Sequence, residues 1–152
     1  MLRHPVHPAL VHLPIGAWLC SFVFDVASQF IRRPEFLALG SEWLIAVGVL
    51  GAVVAAGAGF VDLVAIDPDT AEFRTARAHM SINVLLIFAY VASFAWRYRS
   101  HPVRAPVGAG TLALSAGCMV TLAVSCYLGG KLAHRHGASA LHRLTSSARS
   151  ET

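Results

Sequence analysis

The sequence predicts an all-α integral membrane protein, a bundle of four transmembrane helices with both chain termini on the same side. The first observation is composition: of 152 residues, 56% are hydrophobic and only 13% are charged, and the mean hydropathy is +0.61. A soluble domain carries about 25% charged residues, so this chain cannot cover a water-facing surface in the usual way. The second observation is four apolar runs, each about as long as a helix needs to cross a bilayer.

These runs predict helices over about residues 13–31, 43–66, 75–97 and 107–131. Short polar connections separate them and contain the prolines that a helix interior avoids, namely Pro34, Pro68, Pro102 and Pro106. Residues 1–137 form the predicted membrane domain. The remaining residues, 138–152, are rich in Ser, Thr and Arg and are predicted to be a disordered tail.

Charge and cysteine content exclude several classes of function. The net charge is +4, but the arginines cluster beside the predicted spans, where they meet lipid headgroups, so we expect no nucleic-acid binding. Cys20, Cys118 and Cys126 lie singly inside spans and form no CxxC motif. A disulfide framework, a zinc ribbon and a covalently attached c-type haem are therefore not supported.

Most ionisable groups fall at one end of the predicted bundle. We call this end side A: helices 1 and 3 begin there, helices 2 and 4 end there, and side B is opposite. Of eight histidines, only His101 lies in a side B loop. The side A residues that we expect to form one cofactor site are His7, His12, Asp62, His79, Asn83 and His136.

Two arguments support a shared site. Ionisable groups at the edge of a membrane span are costly and mark function by default, and His12, Asp62 and His79 are such groups. His79 and Asn83 are four residues apart, so they share one face of a helix.

Two further features predict packing. Asp25, just past the middle of helix 1, is expected to pair with Arg97 or Arg99 at the end of helix 3. Small residues at steps of four predict close helix contacts on helix 2 (Gly51, Ala55, Gly59) and on helix 4 (Gly117, Thr121, Ser125, Gly129).

Four motifs together resemble the DUF2231 family of small membrane proteins: HPALVHLPIG at 7–16, GFVD at 59–62, HMSIN at 79–83 and GGKLAHRHG at 129–137. The resemblance implies four transmembrane helices and recurring His7, His12, Asp62, His79 and His136. The family pattern more often has Val-Tyr where this chain has Ala133-His134, so it does not imply that His134 is a ligand. Fusion of such domains to cytochrome-like modules implies electron transfer.

The leading functional hypothesis is a b-type haem protein that transfers electrons. A haem needs one or two neutral imidazoles, a flat apolar slot and cations for its propionates. His12 or His7, with His79 or His136, supplies the predicted axial pair, and Phe60 the lining of the slot. The predicted propionate partners are Arg74, Arg77, Lys131 and Arg135. Side A then faces a soluble redox partner or a quinone.

Two alternatives stay open. One is a zinc, copper or iron ion bound by His7, His12, His79 and His136 with Asp62. The other is an accessory or scaffold subunit without a cofactor, whose polar rim binds a partner; a homo-oligomer is also open. No G-x-S-x-G or H-E-x-x-H motif is present, so we expect an electron carrier or binding protein rather than a hydrolase.

The expected location is the inner (cytoplasmic) membrane of a bacterium. Arginine and lysine counts on the two sides are nearly balanced, but Arg32 and Arg33 directly follow helix 1. This pair favours a cytoplasmic side B and a His-rich side A that faces outward.

Overall fold

The computed structural model describes residues 9–100 and 106–150, the side chains of the second segment as far as Leu132. Four long helices fill these segments, and the described residues contain no β-strand. The helices are α1 (His12–Ala27), α2 (Glu35–Val64), α3 (Ala71–Ser100) and α4 (Ala109–Ser150). The predicted all-α, four-helix class is confirmed.

The four helices form a closed ring in which each packs against two others. α1 contacts α2 and α4, and α3 contacts α2 and α4. The C-terminal ends of α1 and α3 lie beside the N-terminal ends of α2 and α4, since Asp25 bonds Ser41 and Arg97 bonds Ser115. Neighbouring helices therefore run antiparallel, as in an up-and-down bundle. That both termini lie on one side of a membrane stays a prediction.

Helix ends differ from the predicted limits for local reasons. α1 ends at Ala27, because Ser28 Oγ donates to the Asp25 carbonyl at 2.7 Å and accepts the Val107 N–H at 3.2 Å. α2 begins at Glu35, directly after Pro34, where proline's fixed φ suits a first turn. α3 begins at Ala71, and Thr70 Oγ1 caps it by accepting the Phe73 N–H at 3.1 Å.

α4 extends further than the sequence predicted. Its backbone is helical to Ser150, whereas we expected a disordered tail from residue 138. Gly137 lies inside the helix, and a single interior glycine costs only about 1 kcal/mol relative to alanine. The Ala, Leu and Arg residues around it are good helix formers.

Among the described residues, three helices are long and apolar enough to cross a membrane: α2, α3 and the part Ala109–Leu132 of α4. α1 has 16 residues, which at about 1.5 Å per residue gives about 24 Å, less than the roughly 30 Å hydrocarbon core. The outward surfaces of all four helices carry large exposed apolar side chains, among them Val23, Val54, Leu85 and Val120. Such a surface suits lipid and not water.

The inward-facing residues follow a heptad-like spacing, with alternating steps of three and four residues, as in left-handed helix packing. On α3 the inward positions are His79, Asn83, Leu86, Tyr90, Ser93 and Arg97. On α4 they are Thr111, Ser115, Cys118, Leu122, Ser125 and Gly129. The interior therefore has three layers: a polar layer at side B, an apolar middle layer and a smaller polar layer at side A.

The middle layer is built around two stacked aromatic rings. Trp18 of α1 and Tyr90 of α3 have ring centroids 4.1 Å apart and an interplanar angle of 14°. The other buried members of the layer are Ile45, Leu86, Cys118 and Leu122. Gly48 of α2 makes room for the indole, since a Cβ there would lie 2.3 Å from Trp18 Nε1.

Only some residues of the predicted small-residue stripes lie at close helix contacts. A Cβ on Gly51 would meet Leu13 Cδ2 at 3.1 Å, and Ala55 is buried, so this part of α2 packs closely. Gly117 of α4 has no atom near its Cβ position. The stripe on α4 reaches the interior only at Ser125 and Gly129.

A buried ion pair joins all four helices in the side B layer. Asp25 of α1 and Arg97 of α3 are both 0% exposed, and Arg97 Nη2 lies 2.6 Å from Asp25 Oδ2. Arg97 Nη1 donates to Asp25 Oδ1 at 2.8 Å, so the contact is bidentate. Of the two partners that the sequence predicts for Asp25, Arg97 forms the pair, whereas Arg99 is exposed.

The other two helices contribute hydroxyls to the same pair. Ser41 of α2 donates to Asp25 Oδ1 and accepts from Arg97 Nη1 at 3.2 Å. Ser115 of α4 donates to Asp25 Oδ2 at 2.8 Å and accepts from Arg97 Nη2 at 3.0 Å. Arg97 Nε donates to Ser93 at 3.3 Å. The ion pair is therefore fully hydrogen-bonded, which a buried charge requires.

We predict that Asp25→Asn strongly destabilises the protein, because it leaves the Arg97 charge buried without its counter-charge. Breaking one side of a buried pair costs about 3–5 kcal/mol. The thermal unfolding midpoint in detergent, followed by tryptophan emission, measures the effect. Arg99→Gln is the control and is expected to leave the midpoint nearly unchanged. Equal shifts for the two variants would contradict the structural role of the pair.

We also predict that Gly48→Ala destabilises the bundle by about 1–3 kcal/mol, because the new methyl group overlaps the Trp18 indole. The matched control is Gly57→Ala, where nothing lies within 4 Å of the added Cβ. The unfolding midpoints of both variants are compared with that of the unmodified protein. A Gly48→Ala midpoint no lower than that of Gly57→Ala would show that the indole does not occupy this space.

Candidate functional site

The best-defined polar site at side A is centred on His79 of α3. Its ring is partly buried, and Nδ1 lies 2.9 Å from the carbonyl oxygen of Ser125 on α4. Ser125 Oγ lies 3.2 Å from the same nitrogen. A carbonyl oxygen can only accept a hydrogen bond, so Nδ1 carries the ring proton.

Asn83 occupies the other side of the imidazole. It lies one turn further along α3, and its Nδ2 is 3.0 Å from His79 Nε2 and 2.9 Å from the His79 carbonyl oxygen. Ser125 Oγ donates to Asn83 Oδ1 at 3.1 Å. The three side chains thus form a closed cycle of hydrogen bonds that connects α3 to α4. Its donors and acceptors match when His79 is neutral and Nε2 accepts from Asn83.

Gly129 provides the space for the ring. A Cβ at this position would lie 3.1 Å from His79 Cε1, which is tighter than most Cβ contacts, so the ring would have to shift by a few tenths of an ångström. Ser125 and Gly129 are one turn apart on α4, so one supplies the carbonyl and the other the gap. Both belong to the small-residue stripe of α4, whose spacing in the sequence predicts helix packing and does not mark Ser125 as a site residue.

The remaining predicted site residues are placed differently. His12 is exposed in the first turn of α1, and Asp62 is exposed near the end of α2. His7 and the side chain of His136 lie outside the described residues. Among the residues with described side chains, no three His, Cys, Asp or Glu groups are close enough to hold a metal ion. Only His79 and Asn83 of the predicted set are brought together, and the wider convergence stays a prediction.

The surroundings of the site are polar and cationic in part. Arg74 and Arg77 on the first turns of α3 are exposed, as is Lys131, two residues after Gly129. The side chain of Arg135 lies outside the described part. Phe60, the predicted lining of a haem slot, is 60% exposed and therefore does not fill the interior of the bundle.

This arrangement prepares the imidazole for one kind of chemistry. Metal-binding histidines usually donate the N–H of one ring nitrogen to a carbonyl or carboxylate, which fixes the tautomer and aims the other nitrogen at the metal. His79 makes this contact to Ser125. Its Nε2 is the nitrogen that can act as a ligand, once the Asn83 amide moves away.

A family model described as "Predicted membrane protein (DUF2231)" matches residues 3–141 of the chain. The match covers α1, α2, α3 and α4 as far as residue 141, and it includes His79, Asn83, Ser125 and Gly129. No curated protein and no solved structure matches the chain.

We predict that neutral His79 is protonated on Nδ1, the less common tautomer of free histidine. Nitrogen NMR of the protein labelled with ¹⁵N-histidine distinguishes the two tautomers, and His79→Gln assigns the signal. Ser125→Ala is expected to keep this tautomer, since the acceptor at 2.9 Å is a backbone carbonyl. A signal from His79 protonated on Nε2 would contradict the assigned hydrogen bonds.

Proposed function

The chain belongs to the DUF2231 family, and we propose that it is a membrane protein that binds a b-type haem at side A through Nε2 of His79 and transfers electrons. The observation that carries the proposal is the contact between His79 Nδ1 and the Ser125 carbonyl at 2.9 Å. It fixes the ring in the tautomer in which Nε2 has a lone pair, which iron coordination requires.

The residues around His79 control access to Nε2. Gly129 has no side chain, and the imidazole occupies the space that a Cβ there would take, so Gly129 holds the ring against α4 while Nε2 faces Asn83. Asn83 is the group that must move, because its amide nitrogen is 3.0 Å from Nε2. A rotation of its side chain releases Nε2 without moving the helix, since Asn83 and His79 lie on the same helix.

Other residues are proposed to complete the binding site. His12, His7 or His136 would supply a second imidazole, and Arg74, Arg77 and Lys131 would bind the propionates. When bound, the haem supplies a one-electron couple at its iron, and the protein supplies orientation and electrostatics. The proposed electron donor or acceptor is a soluble redox protein or a quinone that reaches side A.

We favour a haem over a single metal ion because a haem needs fewer ligands from the protein. A zinc or copper site needs three or four protein ligands, whereas a haem needs one or two. The described side chains contain no group of three suitable ligands, so an ion site would depend on His7 and His136. A haem can be held by a single imidazole, which His79 would supply.

The test is an absorption spectrum of the detergent-purified protein, oxidised and then reduced with dithionite, with metal analysis of the same sample. We expect a Soret band and, after reduction, sharpened α and β bands. His79→Ala is expected to lose the haem. His101→Ala, which changes the histidine that the sequence predicts in a side B loop, is expected to keep it. Size-exclusion profiles show whether each variant is folded.

Two outcomes would reject the proposal. One is haem retained at full occupancy in folded His79→Ala. The other is a protein expressed with an adequate haem supply that contains no haem, and in that case stoichiometric zinc, copper or iron would assign side A to a metal ion. A sample with neither haem nor metal would favour a scaffold or accessory role.

A further inference from the structure

We propose that the side B rim binds anionic phospholipids. The side B rim is defined as Phe30, Arg32, Arg33, Phe36 and Arg99. All five side chains are exposed. The proposal rests on the charge, the aromatic side chains and the depth of this rim, and it is independent of any cofactor at side A.

The three arginines of the side B rim lie at the same end of the bundle. Arg32 and Arg33 lie in the turn between α1 and α2, and Arg99 lies in the last turn of α3. These helix ends meet at the ion pair of the side B layer, where Asp25 already compensates Arg97. The rim arginines are therefore separate from that pair.

Acidic neighbours do not cancel this charge. Glu35 adjoins the arginines in the first turn of α2, and Glu42 lies two turns further along the helix. Among the described side chains at this end, three exposed arginines against these two carboxylates leave a net positive charge. A guanidinium binds phosphate oxygens in a bidentate manner, so phosphate is the group that this rim recognises best.

The turn that carries Arg32 and Arg33 is held in place. Gln29 Nε2 donates to the Val107 carbonyl at 2.9 Å, and the Val107 N–H donates to Ser28 Oγ at 3.2 Å. These bonds fix the end of α1 to the start of α4. Because the backbone is already ordered, binding a headgroup there costs less conformational entropy than binding to a mobile loop.

The apolar side chains of the rim suit the acyl-chain boundary of a bilayer. Phe30 is 82% exposed and Phe36 is 76% exposed. Trp43, Trp96 and Tyr98 are also exposed near this end, and Trp and Tyr are enriched at the level of the headgroups. A phospholipid offers acyl chains to the aromatic rings and a phosphate to the arginines, so it matches both parts of the rim.

The position of the rim along the chain suits the headgroup level. Phe30, Arg32 and Arg33 follow directly after the end of the apolar helix α1 at Ala27. Residues that flank a spanning helix meet the headgroups. We therefore place this turn beside the phosphates and propose an anionic lipid as its occupant.

The opposite end provides a matched control. Arg74 and Arg77 are also an exposed pair close together on one helix. However, Asp67 and Asp69 are exposed just before that helix. Changing Arg74 and Arg77 alters the net charge of the protein by the same amount as changing Arg32 and Arg33, but leaves the side B rim intact.

The experiment uses the full chain reconstituted in vesicles of phosphatidylcholine mixed with phosphatidylglycerol that has brominated acyl chains. Bromine quenches nearby tryptophan emission, and two of the three tryptophans, Trp43 and Trp96, are exposed near the rim. The extent of quenching gives the binding constant of phosphatidylglycerol relative to phosphatidylcholine. Emission in pure phosphatidylcholine shows whether each variant is folded.

We expect the unmodified protein to prefer phosphatidylglycerol. The double variant R32Q/R33Q is expected to lose about fivefold in relative binding constant for each arginine removed, and R74Q/R77Q to lose much less. Inorganic phosphate in the buffer is expected to leave the quenching unchanged. No preference for phosphatidylglycerol, equal losses in the two double variants, or displacement of the lipid by free phosphate would each overturn the proposal.

Discussion

The hydrogen-bonded contact between Asp25 and Arg97 is the constraint on which the rest of the bundle depends. Both charges are buried and need partners from within the protein. Each helix contributes one side chain to this hydrogen-bonded centre: Asp25 from α1, Ser41 from α2, Arg97 from α3 and Ser115 from α4. Contact with one common centre fixes both the rotation and the axial position of every helix. Van der Waals packing between apolar helices specifies these two properties only weakly, since lipid tails are as apolar as the helix surfaces.

Once the side B layer is fixed, the heptad-like spacing determines what faces inward elsewhere. Four residues on α3 separate Arg97 from Ser93 and seven separate it from Tyr90, so Tyr90 meets Trp18 in the middle layer. The same face reaches His79 five helical turns before Arg97, at about 3.6 residues per turn. The orientation of His79 toward α4 thus follows from the register that the ion pair imposes.

The sequence alone predicts the number of helices but not which face of each helix points into the bundle. Four apolar runs and the prolines between them predicted the helix count, because length and hydropathy alone decide whether a segment can span. Hydropathy does not show which face is inward when the outward face is also apolar. It therefore does not identify Ser41, Ser93 and Ser115 as partners of the ion pair. Their signal is the spacing of polar residues inside apolar runs, in register with Asp25 and Arg97. The i, i+4 rule did predict that His79 and Asn83 share a face, but no local rule indicates that Ser125, on another helix, completes the cycle.

The three-layer interior also separates the two ends chemically. Trp18, Ile45, Leu86 and Tyr90 form an apolar layer between the two polar layers, so no chain of polar groups from these residues connects His79 to Arg97. A change of charge at side A is therefore separated from the Asp25–Arg97 pair by this apolar layer and by five turns of α3. The ion pair is bidentate and surrounded by hydroxyls, which makes any rearrangement costly. For the proposed haem at side A, a gain or loss of one electron would therefore leave the register of the bundle, and with it the orientation of His79, unchanged.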